Sequence, residues 1–184
     1  LLNKIIDEQM IINCTKNLVA KESKLSVRSI SPYTKIQMNF LNGNQFYGDM
    51  NNNNSWICGK NGRYLWALNE SLYEGNFFRP NVIEGRGMLK FCHSGNSSSG
   101  FSRYCGNFAN GMFHGKGQLN NYFFKYIGNF ECNKFNGRGN IKTEKELYNG
   151  FFEEGKKTSG KRIFFNGTFF GEFNKNEMRM CGKY

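Results

Sequence analysis

A short pattern of aromatic residues and glycine recurs six times in this chain of 184 residues, and it limits the folds that the chain can adopt. Each copy reads aromatic, any residue, glycine, any residue, hydrophobic, as in Tyr104, Gly106 and Phe108. The six copies begin at Phe46, Tyr73, Tyr104, Tyr126, Tyr148 and Phe169. A return at an interval of about two dozen residues is typical of a protein built from stacked repeats.

Each copy predicts a β-hairpin. Turn residues follow at Asn53, Pro80, Gly111, Asn133, Gly155 and Asn176, and Gly and Asn tolerate a positive φ. A Gly-x-Gly then opens a second strand, for which Leu119, Ile141 and Ile163 are predicted core positions. Because an isolated hairpin is marginal in water, the hairpins must stack on one another. The sequence therefore predicts an all-β fold, an array of about six stacked antiparallel β-hairpins that form one elongated twisted sheet.

The repeat also resembles a known family. The pattern Tyr-x-Gly-x-(Phe/Trp)-x-x-Gly-x-x-x-Gly-x-Gly is best preserved in residues 104–117 and 126–139, and it resembles the MORN repeat (membrane occupation and recognition nexus). The resemblance covers residues 46–184 and is interrupted by Pro80 and by a Ser-rich insertion at 94–102. It implies a non-enzymatic scaffold or adaptor that binds a protein partner in a cytoskeletal, ciliary or membrane-associated assembly, often as a homodimer. It further implies a cytoplasmic location, at the cytoskeleton or at the cytoplasmic face of a membrane.

The aromatic residues of the first strands form the predicted partner-binding surface. Positions one, three and five of a strand share a face, so each copy presents a ring, a bare glycine and a ring, and a neighbouring ring can lie across the glycine. A groove lined by such rings suits an extended or helical segment of a partner. The predicted partner-binding residues are Tyr73, Phe77, Tyr104, Phe108, Tyr126, Phe130, Tyr148 and Phe152.

The charge suggests a second function. Lys and Arg number 25 against 14 Asp and Glu, which gives a net charge of +11. Arg86, Lys116 and Arg138 occupy the same position between two glycines, and stacking predicts that they align along one edge of the sheet. Such a row suits anionic phospholipids such as phosphoinositides, or an acidic protein surface. The alternative is a solvated edge that prevents aggregation between sheets. Nucleic acid is disfavoured, because the core accounts for the aromatic residues and no known nucleic-acid-binding motif is present.

The N-terminal residues have a different character. Apolar residues near helical spacing predict an amphipathic helix over residues 1–22, and residues 23–33 read as a linker. The helix is interpreted as a cap on the sheet, as a dimerisation helix or as the tail of a preceding domain. The repeat array is predicted to span residues 34–184, with 34–45 as the second strand and turn of a further, degenerate copy.

No pattern in the sequence indicates catalysis. Residues 155–162 have the glycine and lysine spacing of a phosphate-binding loop, but Arg162 stands where Ser or Thr is required, and the segment lies between two predicted strands. His93 and His114 lack the neighbours of a catalytic triad or of a metal site. The six cysteines include no Cys-x-x-Cys pair for zinc. The sequence therefore predicts no catalytic residue, metal or cofactor.

Overall fold

The structure is a computed structural model that describes residues 33–51, 56–57, 59–78, 82–92, 100–164, 167–174 and 177–178. The predicted helix and all but the last residue of the predicted linker lie outside these residues. The regular elements of the described residues are all strands, which confirms the all-β prediction. The strands are β1 (Tyr33–Asn39), β2 (Gln45–Asn51), β3 (Trp56–Ile57), β4 (Gly59–Trp66), β5 (Ser71–Phe78), β6 (Val82–Cys92), β7 (Phe101–Ala109), β8 (Met112–Asn120), β9 (Phe124–Glu131), β10 (Lys134–Thr143), β11 (Glu146–Glu153), β12 (Lys156–Phe164), β13 (Gly167–Asn174) and β14 (Glu177–Met178).

These strands form one antiparallel sheet in which neighbours in the chain are neighbours in space. The one departure is at β2, which pairs with the two-residue strand β3 at one end and with β4 at the other. Strand β1 pairs with β2, so a strand lies where the second strand of the further, degenerate copy is predicted, within residues 34–45. The sheet therefore grows by adding one hairpin after another.

Tight turns fix the register of the hairpins β7–β8, β9–β10 and β11–β12. Both central residues of each turn have a positive φ, which defines a type I′ turn and matches the right-handed twist of the flanking strands. These residues are Asn110 (51°) and Gly111 (77°), Cys132 (47°) and Asn133 (67°), and Glu154 (50°) and Gly155 (82°). The predicted turn residues Gly111, Asn133 and Gly155 are thus confirmed, whereas Asn53, Pro80 and Asn176 lie outside the described residues.

A ladder of glycines crosses the sheet at right angles to the strands. One glycine from each of ten successive strands lies in register with the next, and we call this set the glycine ladder. It consists of Gly62, Gly75, Gly87, Gly106, Gly117, Gly128, Gly139, Gly150, Gly160 and Gly171. A Cβ atom on Gly128 would lie 2.4 Å from the Tyr126 hydroxyl oxygen and 2.6 Å from the Gly139 Cα. Glycine is therefore required, because the tyrosine ring lies flat across the ladder.

The two faces of the sheet differ. The ring face carries the tyrosines and the hydrophobic core, in which Tyr104 stacks on Phe113 with 3.8 Å between ring centroids and packs edge-to-face on Phe108 at 5.1 Å. The Tyr104 hydroxyl donates a hydrogen bond of 2.8 Å to the carbonyl oxygen of Asn107. The open face carries the alternate residues of each strand, which are mostly polar.

The fifth copy departs from the predicted alternation. Between the turn and the ladder glycine, its second strand is one residue shorter than the second strand of the fourth copy. Arg162 therefore lies opposite Tyr148, and Ile163 pairs with Leu147 on the open face. The prediction that Ile163 occupies the core position is therefore wrong, because Gly160, and not Lys161, is the ladder residue of this strand.

Candidate functional site

The predicted aromatic partner-binding residues lie inside the core. Tyr73, Phe77, Tyr104, Phe108, Tyr126, Phe130, Tyr148 and Phe152 are only 0 to 6% exposed. Tyr73, Tyr104 and Tyr126 are each covered by the phenylalanine of the following hairpin, as in Tyr104 and Phe130, whose ring centroids are 5.0 Å apart. Burial raises the pKa of Tyr148 to about 12, although hydrogen bonds to the carbonyls of Phe151 and Ser159 act in the opposite direction. These rings hold the hairpins together, and a partner laid on the described sheet would have to displace them to contact them.

The open face contains a depression that crosses strands β6 to β10. Its volume is about 840 Å³, and its floor is the backbone of five ladder glycines from Gly87 to Gly139. One wall carries Arg86, Lys116 and Arg138, and the other carries Cys105, Gln118, Ile127 and Asn140. We call this depression the trough. It lies between the side chains that precede and follow the ladder glycine on each strand, because successive side chains of a strand point to opposite faces.

The predicted anion-binding residues come together in the trough. Arg86, Lys116 and Arg138, which we call the inner basic row, are all exposed and lie on β6, β8 and β10. Since strands are about 4.8 Å apart, successive cations of this row are about 10 Å apart. The expectation that the row follows an edge of the sheet is wrong. Each residue directly precedes a ladder glycine, so the row runs across the middle of the open face.

Amide side chains lie between the cations of the inner row. Asn107 on β7 is opposite Arg86, and Asn129 on β9 is opposite Lys116. The order across five strands is therefore Arg, Asn, Lys, Asn, Arg, in which charged and neutral hydrogen-bonding groups alternate.

A second basic row was not predicted from the sequence. Lys90 lies opposite Arg103, and Lys125 lies opposite Lys142, four residues along the strands from the inner row. We call these four residues the outer basic row. The signal for it was present, since Arg103 and Lys125 each directly precede the tyrosine of a repeat. None of the ion pairs found among the described side chains includes a residue of either basic row.

A charged cluster occupies the ring face at hairpin β11–β12. Glu146 accepts hydrogen bonds from Lys157 and Arg162, and the three side chains are 10, 13 and 21% exposed, respectively. Burial raises the pKa of Glu146, but the hydrogen bonds from Lys157 and Arg162 and their charges outweigh it and hold the pKa below its ordinary value of 4.5. The cluster is fully paired, so it forms part of the core and not a reactive site.

The residues that resemble catalytic motifs are structural. The segment that resembles a phosphate-binding loop forms the turn at Gly155 and strand β12. His114 is an exposed residue of β8, while His93 lies outside the described residues. In the part of the chain that the structure describes, no three His, Cys, Asp or Glu side chains are grouped so that they could hold a metal ion.

The chain matches no protein-family model and no curated protein. No helix among the described residues is long and apolar enough to cross a membrane.

Proposed function

We propose that the chain is a repeat scaffold of the MORN type, without catalytic activity, that binds a segment of a partner protein in a cytoskeletal or membrane-associated assembly. The observation that carries the proposal is the glycine ladder covered by one tyrosine per hairpin. Repeat arrays of this kind present long regular surfaces on which a partner binds. The proposal assigns the binding surface to the open face, because the rings of the ring face are used in the core.

The trough is the surface that suits a partner segment best. It runs across five strands, which corresponds to about 20 Å, and it presents side chains of several hairpins at once. A single repeat contributes too few contacts for specific recognition, whereas the array offers the same set of contacts repeatedly. The scaffold function therefore depends on the regular stacking of the hairpins β5–β6, β7–β8 and β9–β10.

Site-specific photocrosslinking tests this proposal. A photoreactive amino acid replaces Gln118 in the trough, and in a matched control it replaces Leu68, which is 91% exposed in the loop between β4 and β5. We expect a protein partner that crosslinks saturably from position 118 in a lysate of the source cells and does not crosslink from position 68. Equal labelling from both positions, or no labelled protein at all, would contradict the scaffold proposal.

A second candidate function is binding to anionic phospholipids. Seven basic side chains on one face favour it, since each Lys or Arg near an acidic membrane contributes up to about 1 kcal/mol. Tyr122 and Phe123, which are 81% and 72% exposed beside Lys125, add the aromatic side chains that are common at membrane interfaces. Flotation with vesicles that contain phosphatidylserine or phosphoinositides tests this candidate. Binding at physiological salt that is lost on reversal of the charges of Arg86, Lys116 and Arg138 is the expected result, whereas binding unchanged by these reversals would contradict it.

A further inference from the structure

We propose that the trough binds an acidic, extended segment of a partner protein, with carboxylates at every third residue. This inference rests on the proposed scaffold function and specifies the chemistry of the partner. Its elements are the uncompensated charge of the open face, the amides between the cations and the distance from one cation to the next.

Charge determines the sign of the occupant. The three cations of the inner row have no carboxylate partner among the described residues, and the outer row adds four more cations on the same face. Glu84 and Glu131, at the turn ends of β6 and β9, are the acidic residues that accompany them on these strands. An acidic occupant supplies the missing opposite charges.

Neither residues 1–32 nor a second copy of this chain fits as the occupant. Residues 1–32 contain five basic and three acidic side chains, so this segment has the wrong sign. A second copy carries the same net charge of +11 and the same basic face. Like charges placed face to face repel, which leaves a different molecule of negative charge as the occupant.

The hydrogen-bonding groups of the trough favour a polypeptide. Asn107 and Asn129 lie between the cations of one wall, and Gln118 and Asn140 lie on the other. An amide side chain both donates and accepts, as does each residue of a peptide backbone. Single-stranded nucleic acid requires aromatic rings for its bases, and the described lining of the trough contains no aromatic ring. A membrane surface, in turn, cannot enter the depression to reach these amides.

The spacing of the cations predicts the sequence pattern of the segment. Successive cations of the inner row are about 10 Å apart. In a polyproline II segment, which is extended and has three residues per turn with a rise of about 3.1 Å, every third side chain points to the same side and lies about 9 Å from the next. Carboxylates at positions one, four and seven of such a segment therefore meet Arg86, Lys116 and Arg138 in turn. The floor between the two walls is backbone, so the segment can lie between them against the sheet.

Binding of designed peptides tests the inference on the full chain. The first peptide has Glu at every third residue in a Gly-Ser background, the second has the same composition with its Glu residues contiguous, and the third has Gln in place of Glu. Fluorescence anisotropy at about 150 mM salt, where the Debye length is about 8 Å, reports mainly on close contacts. We expect the first peptide to bind several-fold more tightly than the second and the third not to bind.

Two triple variants with equal loss of charge separate the trough from general attraction. R86Q/K116Q/R138Q removes the inner basic row, and R103Q/K125Q/K142Q removes three residues of the outer row. We expect the first variant to weaken binding of the spaced peptide about tenfold and the second about threefold or less, since contacts within the trough exceed those of distant exposed charges.

Three results would overturn the inference. Equal weakening by both triple variants would mean that only diffuse charge attracts the peptide. Binding to acidic vesicles without binding of any peptide would indicate a lipid surface. Crosslinking of a protein partner from position 118 that persists in R86Q/K116Q/R138Q would leave the scaffold function intact and exclude an acidic segment.

Discussion

Two neighbouring hairpins of the sheet share the tight turn and the glycine ladder and fill three equivalent positions of the ring face with opposite chemistry. In β9–β10 the positions around Tyr126 are occupied by Phe124, Phe135 and Ile141. In β11–β12 the corresponding positions around Tyr148 are occupied by the charged cluster, Glu146, Lys157 and Arg162. The aromatic hairpin is built from apolar contacts, and the charged hairpin is built from ion pairs.

The contacts of the two tyrosines show how charged side chains take the place of aromatic ones. Tyr126 stacks on Phe135, with 3.8 Å between the ring centroids and 14° between the ring planes. Tyr148 instead has the Lys157 ammonium 5.1 Å from its ring centroid, which is a cation–π contact. Both tyrosines retain the hydrogen bond to a backbone carbonyl three residues later. The glycine ladder and the tyrosines therefore define the hairpin. The positions around each tyrosine accept either apolar side chains that pack on the ring or charged side chains that pair with one another.

The largest expected effect comes from the feature that both hairpins share. In Gly128→Ala the new Cβ would meet the Tyr126 hydroxyl and the backbone of Gly139, and in Gly150→Ala it would lie 2.3 Å from the Ser159 carbonyl oxygen. Because backbone cannot move aside easily, we expect each substitution to lower the free energy of unfolding by about 4 kcal/mol or more. Urea denaturation followed by circular dichroism measures this.

Gly155→Ala is the control for the glycine substitutions. This glycine has φ +82°, and no atom lies within 4 Å of an added Cβ. The expected cost is about 1 kcal/mol, from backbone conformation alone. A cost for Gly128→Ala as small as that for Gly155→Ala would show that the ladder does not require glycine.

The second effect is specific to the aromatic hairpin. Phe135→Ala removes a buried ring that contacts Tyr126 and also lies 5.5 Å from Phe130 and 5.7 Å from Phe152. Such a substitution creates a cavity, and we expect it to cost about 3 to 4 kcal/mol in the same urea experiment. A loss below about 1 kcal/mol would mean that the hairpin collapses around the cavity and that the stack on Tyr126 contributes little.

The backbone of this fold can be predicted from the sequence because it depends on glycine and turn residues. The recurrence of Tyr-x-Gly predicts the strands and their order, and Gly111, Asn133 and Gly155 predict the tight turns. The register in the fifth copy is mispredicted, because counting from the turn residue Gly155 as in the fourth copy places Lys161 at the ladder position, whereas the strand is one residue shorter and Gly160 lies there. A single residue decides which side chains face the core.

The candidate site could be predicted only in part. The inner basic row follows from its fixed position beside the ladder glycines, but its place on the open face depends on the alternation of side chains in the folded strand. The aromatic residues are predicted to line a groove, because the sequence pattern of a repeat is the same for a ring that lines a surface and for a ring that is buried. The outer row cannot be predicted from the repeat pattern, because its members become neighbours only when the strands pair in the sheet.

The third effect concerns the charged hairpin. Glu146→Gln keeps the shape of the side chain but leaves Lys157 and Arg162 without their carboxylate. Removing one partner of a largely buried cluster is destabilising, and partial exposure reduces the effect to about 1 to 2 kcal/mol. Urea denaturation at pH 7 measures this loss. An unchanged free energy of unfolding would mean that the ion pairs of Glu146 are no more favourable than contacts of the same groups with water.

The same variant has a pH dependence with a definite sign. The pKa of Glu146 is lower in the folded chain than its ordinary value of 4.5, so its contribution is present at neutral pH and is lost as the pH falls through the folded pKa. Gln cannot ionise. We expect the difference in stability between wild type and Glu146→Gln to narrow between pH 7 and pH 3. A difference that stays constant over this range would contradict the assignment of the effect to the ionised carboxylate.

The smallest net change is expected when the charged hairpin is converted into the aromatic one. E146F/K157F/R162I places in β11–β12 the side chains that β9–β10 carries at the same positions. Replacing a buried ionic cluster with apolar groups of suitable shape is often neutral or stabilising, so we expect the unfolding free energy to change by less than about 1 kcal/mol or to rise. The single variant K157F, which leaves Glu146 with Arg162 alone, is the control and should be less stable than the triple variant. If the triple variant were the less stable of the two, the three positions would not be equivalent in the two hairpins, and the charged cluster would be required by the local backbone of the fifth copy.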